Sequence, residues 1–149
     1  MVRSKRVYQI IPKIASILYI VLFVYAATSK LLDYEQFKIQ LGQSPIITAY
    51  ADIVAWGIPL IEFIIVGLFL FPRFMLFAFY SSYTLMILFT SYIIITLNFS
   101  DYIPCSCGGV LEDLGWSEHI IFNLVFITMA IVSVFYLESY QRTIKAILK

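Results

Sequence analysis

Charged residues are scarce in this 149-residue chain, at 13% of the sequence, whereas hydrophobic residues make up 62%. Soluble domains are about half apolar and about a quarter charged, and the mean hydropathy here is +0.93. The chain has too few polar side chains to cover a surface exposed to water. The composition therefore excludes an ordinary soluble domain and predicts an integral membrane protein.

The sequence also lacks a basic face, a nucleotide-binding loop and a Ser-His-Asp arrangement. Ten lysines and arginines against nine acidic residues give a net charge of only +1, which argues against nucleic acid as a partner. Nothing in the pattern of residues points to hydrolysis. Function must therefore be sought in the few polar residues that interrupt the apolar runs.

Four long apolar runs predict four membrane-spanning helices. The predicted spans cover about residues 10–29, 50–71, 74–97 and 119–138, each long enough for a bilayer core of about 30 Å. The basic start resembles a secretory leader, but no cleavage pattern leads into a polar mature domain, so a retained helix is predicted. The sequence thus predicts a single all-α domain over residues 1–149, an integral membrane four-helix bundle with the lipid bilayer as its surroundings.

A mixed segment, residues 30–44 (KLLDYEQFKIQLGQS), follows the first span. Its apolar side chains, including Tyr34, Phe37 and Leu41, recur close to helical spacing. This pattern predicts an amphipathic helix that lies at the membrane interface or extends the first span, ending near Gly42.

The second span carries two residues that are unusual in a membrane helix, Pro59 and Glu62. Proline has no N–H, so Pro59 is expected to kink the helix and to free the carbonyl of Ala55. An ionised carboxylate at a helix centre costs about 2.5–3.5 kcal/mol on insertion scales. Glu62 is therefore expected to be protonated, paired or turned into the bundle, with Lys30 as a candidate partner. A neutral Glu62 bonded to a neighbouring helix and a role in proton handling or at a quinone site both fit this pattern.

The distribution of basic residues predicts an orientation in the membrane. Eight of the ten lysines and arginines fall in the N-terminal segment, the turn between spans two and three, and the C-terminal tail. Because lysine and arginine concentrate on the cytoplasmic side, both termini are predicted to be cytoplasmic in a bacterial inner membrane. The connection before the fourth span is then periplasmic.

Both cysteines of the chain, Cys105 and Cys107, lie one residue apart in that connection, between Pro104 and Gly108. The periplasm is an oxidising compartment in which thiol chemistry proceeds readily. A disulfide between residues i and i+2 closes a very small ring, which suits exchange rather than stapling a fold. The pair therefore predicts a catalytic thiol–disulfide exchange site, with a thioredoxin-like or substrate protein of the periplasm as its partner.

Other interpretations of the cysteine pair stay open. His119 could lower a cysteine pKa by supplying a positive neighbour, or could join the two thiolates in holding a soft ion such as Cu(I), although this set is one ligand short of a closed zinc site. The loop could equally dock a partner in a non-enzymatic scaffold or accessory subunit.

A transporter built around the kinked second span and Glu62 is a third functional class, and it would require an oligomer.

Three stretches resemble the MauE/DoxX family of small four-helix redox-associated membrane proteins. They are Ser29–Asp33 with Phe37, Ala55–Pro59 with Glu62, and Cys105–Gly109. The loop keeps a Cys-x-Cys-x-Gly skeleton, with Ser106 and Gly108 where the family commonly has glycine and phenylalanine. The resemblance implies a helper in the maturation of a periplasmic subunit for methylamine utilisation, through disulfide formation or transport.

The predicted site combines the redox pair with residues that could supply charge, proton handling or helix shape. These supporting residues are Lys30, Trp56, Pro59, Glu62 and His119. A looser similarity to vitamin K epoxide reductase-like four-helix proteins, which link thiols to a membrane quinone, makes a quinone a candidate cofactor. The Cys-x-x-Cys pair of those proteins is absent here.

Overall fold

The structure, a computed structural model, describes residues 2–43, 47–99 and 115–147 and consists of α-helices joined by short turns in these ranges. The helices are α1 (Val2–Leu32), α2 (Tyr34–Gly42), α3 (Ala51–Leu70), α4 (Met75–Phe99) and α5 (Trp116–Ile147). Short 3₁₀ turns at Thr48–Tyr50 and Pro72–Phe74 precede α3 and α4.

Among the described residues, four stretches are long and apolar enough to cross a membrane. They are Ile10–Leu32, Thr48–Leu70, Pro72–Asn98 and Ser117–Thr143. The predicted all-α bundle with four membrane spans and an amphipathic helix after the first is therefore confirmed. The Cys-x-Cys connection before the last span lies outside the described residues, and the assignment of residues 1–149 to one domain stays a prediction.

The helices alternate in direction. Tyr19 of α1 stacks on Phe69 of α3 at 5.7 Å between ring centroids, whereas Lys30, farther along α1, contacts Glu62, an earlier residue of α3. These two contacts make α1 and α3 antiparallel. The turn at Arg73 reverses the chain again, so α4 runs from this Arg73 end of the bundle to the opposite end, which we call the α2 end.

The amphipathic segment forms α2 after the chain breaks at Asp33. The apolar side of α2 packs on the first turns of α3, where Phe37 and Leu41 are buried with Ala51 and Ala55. Burial of these side chains against α3 removes them from both water and lipid headgroups. The helix ends at Gly42, as the sequence pattern predicts.

Two side-chain contacts set the register of α2 on α3. Lys38 forms an ion pair with Asp52, and the Tyr34 ring lies 5.6 Å from the Trp56 ring. The hydrogen bond and the negative charge of Asp52 raise the pKa of the Lys38 ammonium above its ordinary value, so Lys38 keeps its positive charge at neutral pH. Because Tyr34 precedes Lys38 whereas its partner Trp56 follows Asp52, α2 and α3 are antiparallel where they meet at the α2 end.

The core of the bundle is centred on the aromatic ring of Tyr19, which is fully buried. The rings packed around it come from all four spanning helices: Phe23, Phe69, Phe79 and Phe126. The Tyr19 hydroxyl donates a 2.7 Å hydrogen bond to the carbonyl of Phe126. One side chain thus joins α1 to α5 while it fills the centre.

Small residues let the helices approach closely, as membrane helix interfaces commonly require. Ala78 of α4 and Ala130 of α5 are fully buried in the same core. Large apolar side chains such as Phe77, by contrast, are exposed on the outside, where a bilayer would surround them.

Enlarging a small core residue should destabilise the bundle. We expect Ala78→Leu to lower the free energy of unfolding by about 1–3 kcal/mol, because the added methylenes have no space. The measurement is reversible unfolding in mixed micelles, with Phe77→Leu on the outward face as the matched control. An Ala78→Leu variant as stable as this control would contradict the packing described here.

Candidate functional site

A buried ion pair joins α1 to α3. The ammonium Nζ of Lys30 lies 2.8 Å from Oε1 of Glu62, and the two side chains are only 14% and 1% exposed. Of the charged side chains described, Glu62 is the most deeply buried. The pairing expected for a carboxylate in a membrane helix is therefore present, with Lys30 as the partner.

The two side chains meet because of the direction in which helical side chains lean. Each Cα–Cβ bond tilts toward the N-terminus of its own helix. Since α1 and α3 are antiparallel, Lys30 leans toward the middle of the membrane, and Glu62 leans toward the α2 end. The long side chains converge between the helices although Lys30 is only two residues from the end of α1.

Glu62 lies close to the middle of its membrane span. It comes ten residues after Asp52 and eleven before Arg73, which corresponds to about 15 Å of helix on either side. A carboxylate at this depth is far from either headgroup region. The charge of a Glu62 carboxylate is therefore balanced by Lys30 and not by hydration.

Lys30 has two further supports besides Glu62. Its Nζ donates a hydrogen bond of 3.2 Å to the carbonyl of Ala26, one turn back in α1. The ammonium also lies 5.4 Å from the centroid of the Phe89 ring of α4, at a cation–π distance. The positive charge is thus held by three different groups from three helices.

Unused hydrogen-bonding capacity remains beside the pair. Oε2 of Glu62 is buried without a hydrogen-bond partner among the described residues. Pro59 cannot donate to the carbonyl of Ala55, so this carbonyl lacks the donor that an α-helix normally provides. Ala55, Pro59 and Glu62 follow one another on the buried face of α3, and α3 continues as a helix through Pro59. Oε2 of Glu62 and the carbonyl of Ala55 are therefore two acceptors on one face of α3 that the backbone N–H groups of the helix do not satisfy.

The structure brings only part of the predicted site together. Lys30, Pro59 and Glu62 lie on one buried face, whereas Trp56 is 63% exposed and packs on Tyr34 instead. His119 lies in the first turn of α5, where its backbone N–H bonds the carbonyl of Gly115. Cys105 and Cys107 lie outside the described residues, so their predicted redox role stays a prediction.

Some structural roles, at the site and elsewhere in the core, were not predicted from the sequence. Phe89 and Tyr19 look like ordinary members of apolar runs, and only their neighbours in space show that they hold an ammonium and a carbonyl. Thr96 of α4 is 1% exposed, and its hydroxyl has no hydrogen-bond partner among the described residues. A hydroxyl in an apolar run is a signal for Tyr19 and Thr96, although the threonine signal is weak because serine and threonine hydroxyls often bond their own helix.

Comparison with known proteins agrees with this architecture. A family model described as methylamine utilisation protein MauE matches residues 8–136, which include all four spanning stretches in whole or in large part. No curated protein and no solved structure matches the chain. The match confirms the MauE part of the family resemblance; the DoxX part stays a prediction. This four-span membrane protein therefore belongs to the MauE family.

Proposed function

We propose that this protein performs thiol–disulfide exchange through Cys105 and Cys107 and thereby supports the maturation of a periplasmic partner protein. The observation that carries the proposal is the Cys-x-Cys pair itself, the only cysteines of the chain. Membership in a family linked by name to methylamine utilisation supports a role in such a maturation pathway. The partner is a thioredoxin-like protein or a substrate protein that exposes thiols.

The helix directions support a reactive segment at the α2 end. The Tyr80 hydroxyl, near the start of α4, donates a hydrogen bond to Glu138, near the end of α5, so these two helices are antiparallel. The end of α4 and the start of α5, which the cysteine segment connects, therefore both lie at the α2 end. The excess of basic residues at the opposite end and in the terminal segments favours a periplasmic α2 end and cytoplasmic termini in a bacterial inner membrane. Thiols at the α2 end would then meet periplasmic partners.

One round of disulfide exchange balances in atoms and electrons with the partner's two thiols and the cysteine pair alone. A partner thiolate attacks one sulfur of the Cys105–Cys107 disulfide, forms a mixed disulfide and releases the other cysteine as a thiolate. A second partner thiolate then attacks the mixed disulfide, so the partner gains a disulfide and this protein ends as the dithiol. Two electrons pass from the partner to the cysteine pair, and the same steps in reverse reduce a partner.

Trapping the thiol state in native membranes tests this proposal. Cells are quenched with acid, and free thiols are alkylated with a mass tag before and after reduction. We expect a fraction of the wild-type protein to gain two tags only after reduction, while Cys105→Ser/Cys107→Ser gains none. Because removal of the resolving cysteine stabilises a mixed disulfide, one of the two single serine variants should also capture a partner.

Two permanently reduced cysteines would contradict the exchange proposal. In that case a partner that co-purifies equally with the wild type and the double serine variant would identify a scaffold. Thiols that react with the tag only after a chelator is added would instead identify a bound soft metal.

A further inference from the structure

The Lys30–Glu62 pair carries an inference that is separate from the cysteines. We propose that Glu62 is a proton-binding site inside the membrane, at which Oε2 takes up and releases a proton while Lys30 remains charged at Oε1. The step is a simple protonation: the carboxylate becomes a carboxylic acid, no other bond breaks, and the pair changes from neutral to a single positive charge.

Division of labour between the two carboxylate oxygens is the first argument. Oε1 accepts the Lys30 hydrogen bond at 2.8 Å, whereas Oε2 is buried with no partner in the described part of the chain. Buried polar atoms in proteins almost always have a partner. An oxygen that keeps a free lone pair at this depth is the place where a proton can add without breaking the ion-pair contact.

The second argument is that the surroundings can accommodate both protonation states. When Glu62 is ionised, Lys30 balances its charge. When Glu62 is neutral, the ammonium still keeps the carbonyl of Ala26 and the ring of Phe89, so it is not left bare in a medium of low dielectric constant. The ammonium therefore has partners in both protonation states of Glu62.

The third argument concerns the proton once it is bound. A protonated carboxyl becomes a hydrogen-bond donor and needs an acceptor. Pro59 leaves the carbonyl of Ala55 without its helical donor, and Ala55 lies on the same buried face as Glu62, in the direction toward which the Glu62 side chain leans. An acceptor without its helical donor is thus present on this face of α3, on the α2-end side of Glu62.

No other charged group competes at this position among the described residues. The ionisable side chains on the buried side of α1 are Lys30 and Tyr19, which lies eleven residues before Lys30. The Tyr19 hydroxyl donates its hydrogen bond to the carbonyl of Phe126. From α4 the facing group is the uncharged Phe89 ring. The lysine of α2, Lys38, is bonded to Asp52, about 15 Å along α3 from Glu62. Proton binding at Glu62 is therefore governed mainly by Lys30.

A lipid-soluble carbodiimide tests the proposal, because dicyclohexylcarbodiimide adds covalently to protonated carboxyl groups in apolar surroundings. The full-length protein in liposomes is treated at a series of pH values, and the modified residue is located by peptide mass spectrometry. We expect adduct on Glu62 that increases several-fold as the pH falls, and none at this position in Glu62→Gln. Infrared difference spectra should show a protonated carboxyl band that disappears in the same variant.

Matched variants decide the outcome. Lys30→Gln removes the counter-charge, so Glu62 should be protonated and labelled over a wider pH range; this variant also shows that the reagent reaches the site. Labelled Lys30→Gln together with an unlabelled wild type at every pH would overturn the proposal, as would the absence of the infrared band. Cys105→Ser/Cys107→Ser should label like the wild type, which separates this result from the fate of the thiol proposal.

Discussion

Replacing either member of the buried ion pair alone should lower the free energy of unfolding by about 3 kcal/mol. This value lies in both the range for breaking a buried ion pair, about 3–5 kcal/mol, and the range for a charge at the centre of a membrane helix, about 2.5–3.5 kcal/mol. Glu62→Leu leaves the Lys30 ammonium, which is only 14% exposed, without its carboxylate. Lys30→Met leaves the Glu62 carboxylate without a counter-charge in the middle of α3. In each case the remaining charge has to be neutralised or exposed.

The double variant is the informative member of this series. Lys30→Met/Glu62→Leu removes both charges and leaves apolar side chains of similar size, so most of the stability should return. The measurement is a double-mutant cycle of unfolding free energies in mixed micelles. Additive losses in the double variant would mean that the two side chains do not interact, and would contradict the 2.8 Å contact.

Truncation of Tyr19 should have a similarly large effect. Tyr19→Ala removes the fully buried ring that Phe23, Phe69, Phe79 and Phe126 surround, and it leaves a cavity where four helices meet. Loss of a large buried side chain typically costs about 3–5 kcal/mol. In a membrane the loss is mostly one of van der Waals packing, because lipid offers no hydrophobic penalty to the separated helices.

Two control substitutions separate the contributions of Tyr19. Tyr19→Phe keeps the ring and loses only the hydrogen bond to the Phe126 carbonyl, so we expect a loss of about 0.6 kcal/mol, the average for hydrogen bonds between membrane helices. Tyr25→Ala alters an exposed tyrosine of the same helix and should have little effect. Equal losses in Tyr19→Ala and Tyr25→Ala would show that the aromatic cluster does not organise the bundle.

The polar residues of α1 and α3 illustrate how far sequence reasoning extends. Pro59 and Glu62 stand out because proline and carboxylate are both costly in a membrane helix, and this cost directs attention to Lys30 as the partner. The contact between them depends on the relative direction and register of two helices, about which neither apolar run carries information. Phe89 was not predicted as a neighbour of Lys30 for the same reason: one phenylalanine in an apolar run is like another until the helices pack.

The amphipathic segment shows a second limit. Its helical spacing and its end at Gly42 follow from the sequence, and α2 has these properties. Whether its apolar side lies on the membrane interface or on another helix is a question of which surface is available. Phe37 and Leu41 bury against Ala51 and Ala55, where the small alanine side chains allow a close approach of α2 to α3.

By itself the sequence determined the membrane class, the number of spans, the family and the presence of a Cys-x-Cys pair, because these depend on composition, on the length of apolar runs and on short local motifs. Only the tertiary structure decided that Glu62 uses one carboxylate oxygen for Lys30 while the other has no partner among the described residues, and that Tyr19 is the centre of the core. The physical reason is that α-helices satisfy their own backbones, so the contacts between them are decided by side-chain packing across antiparallel neighbours.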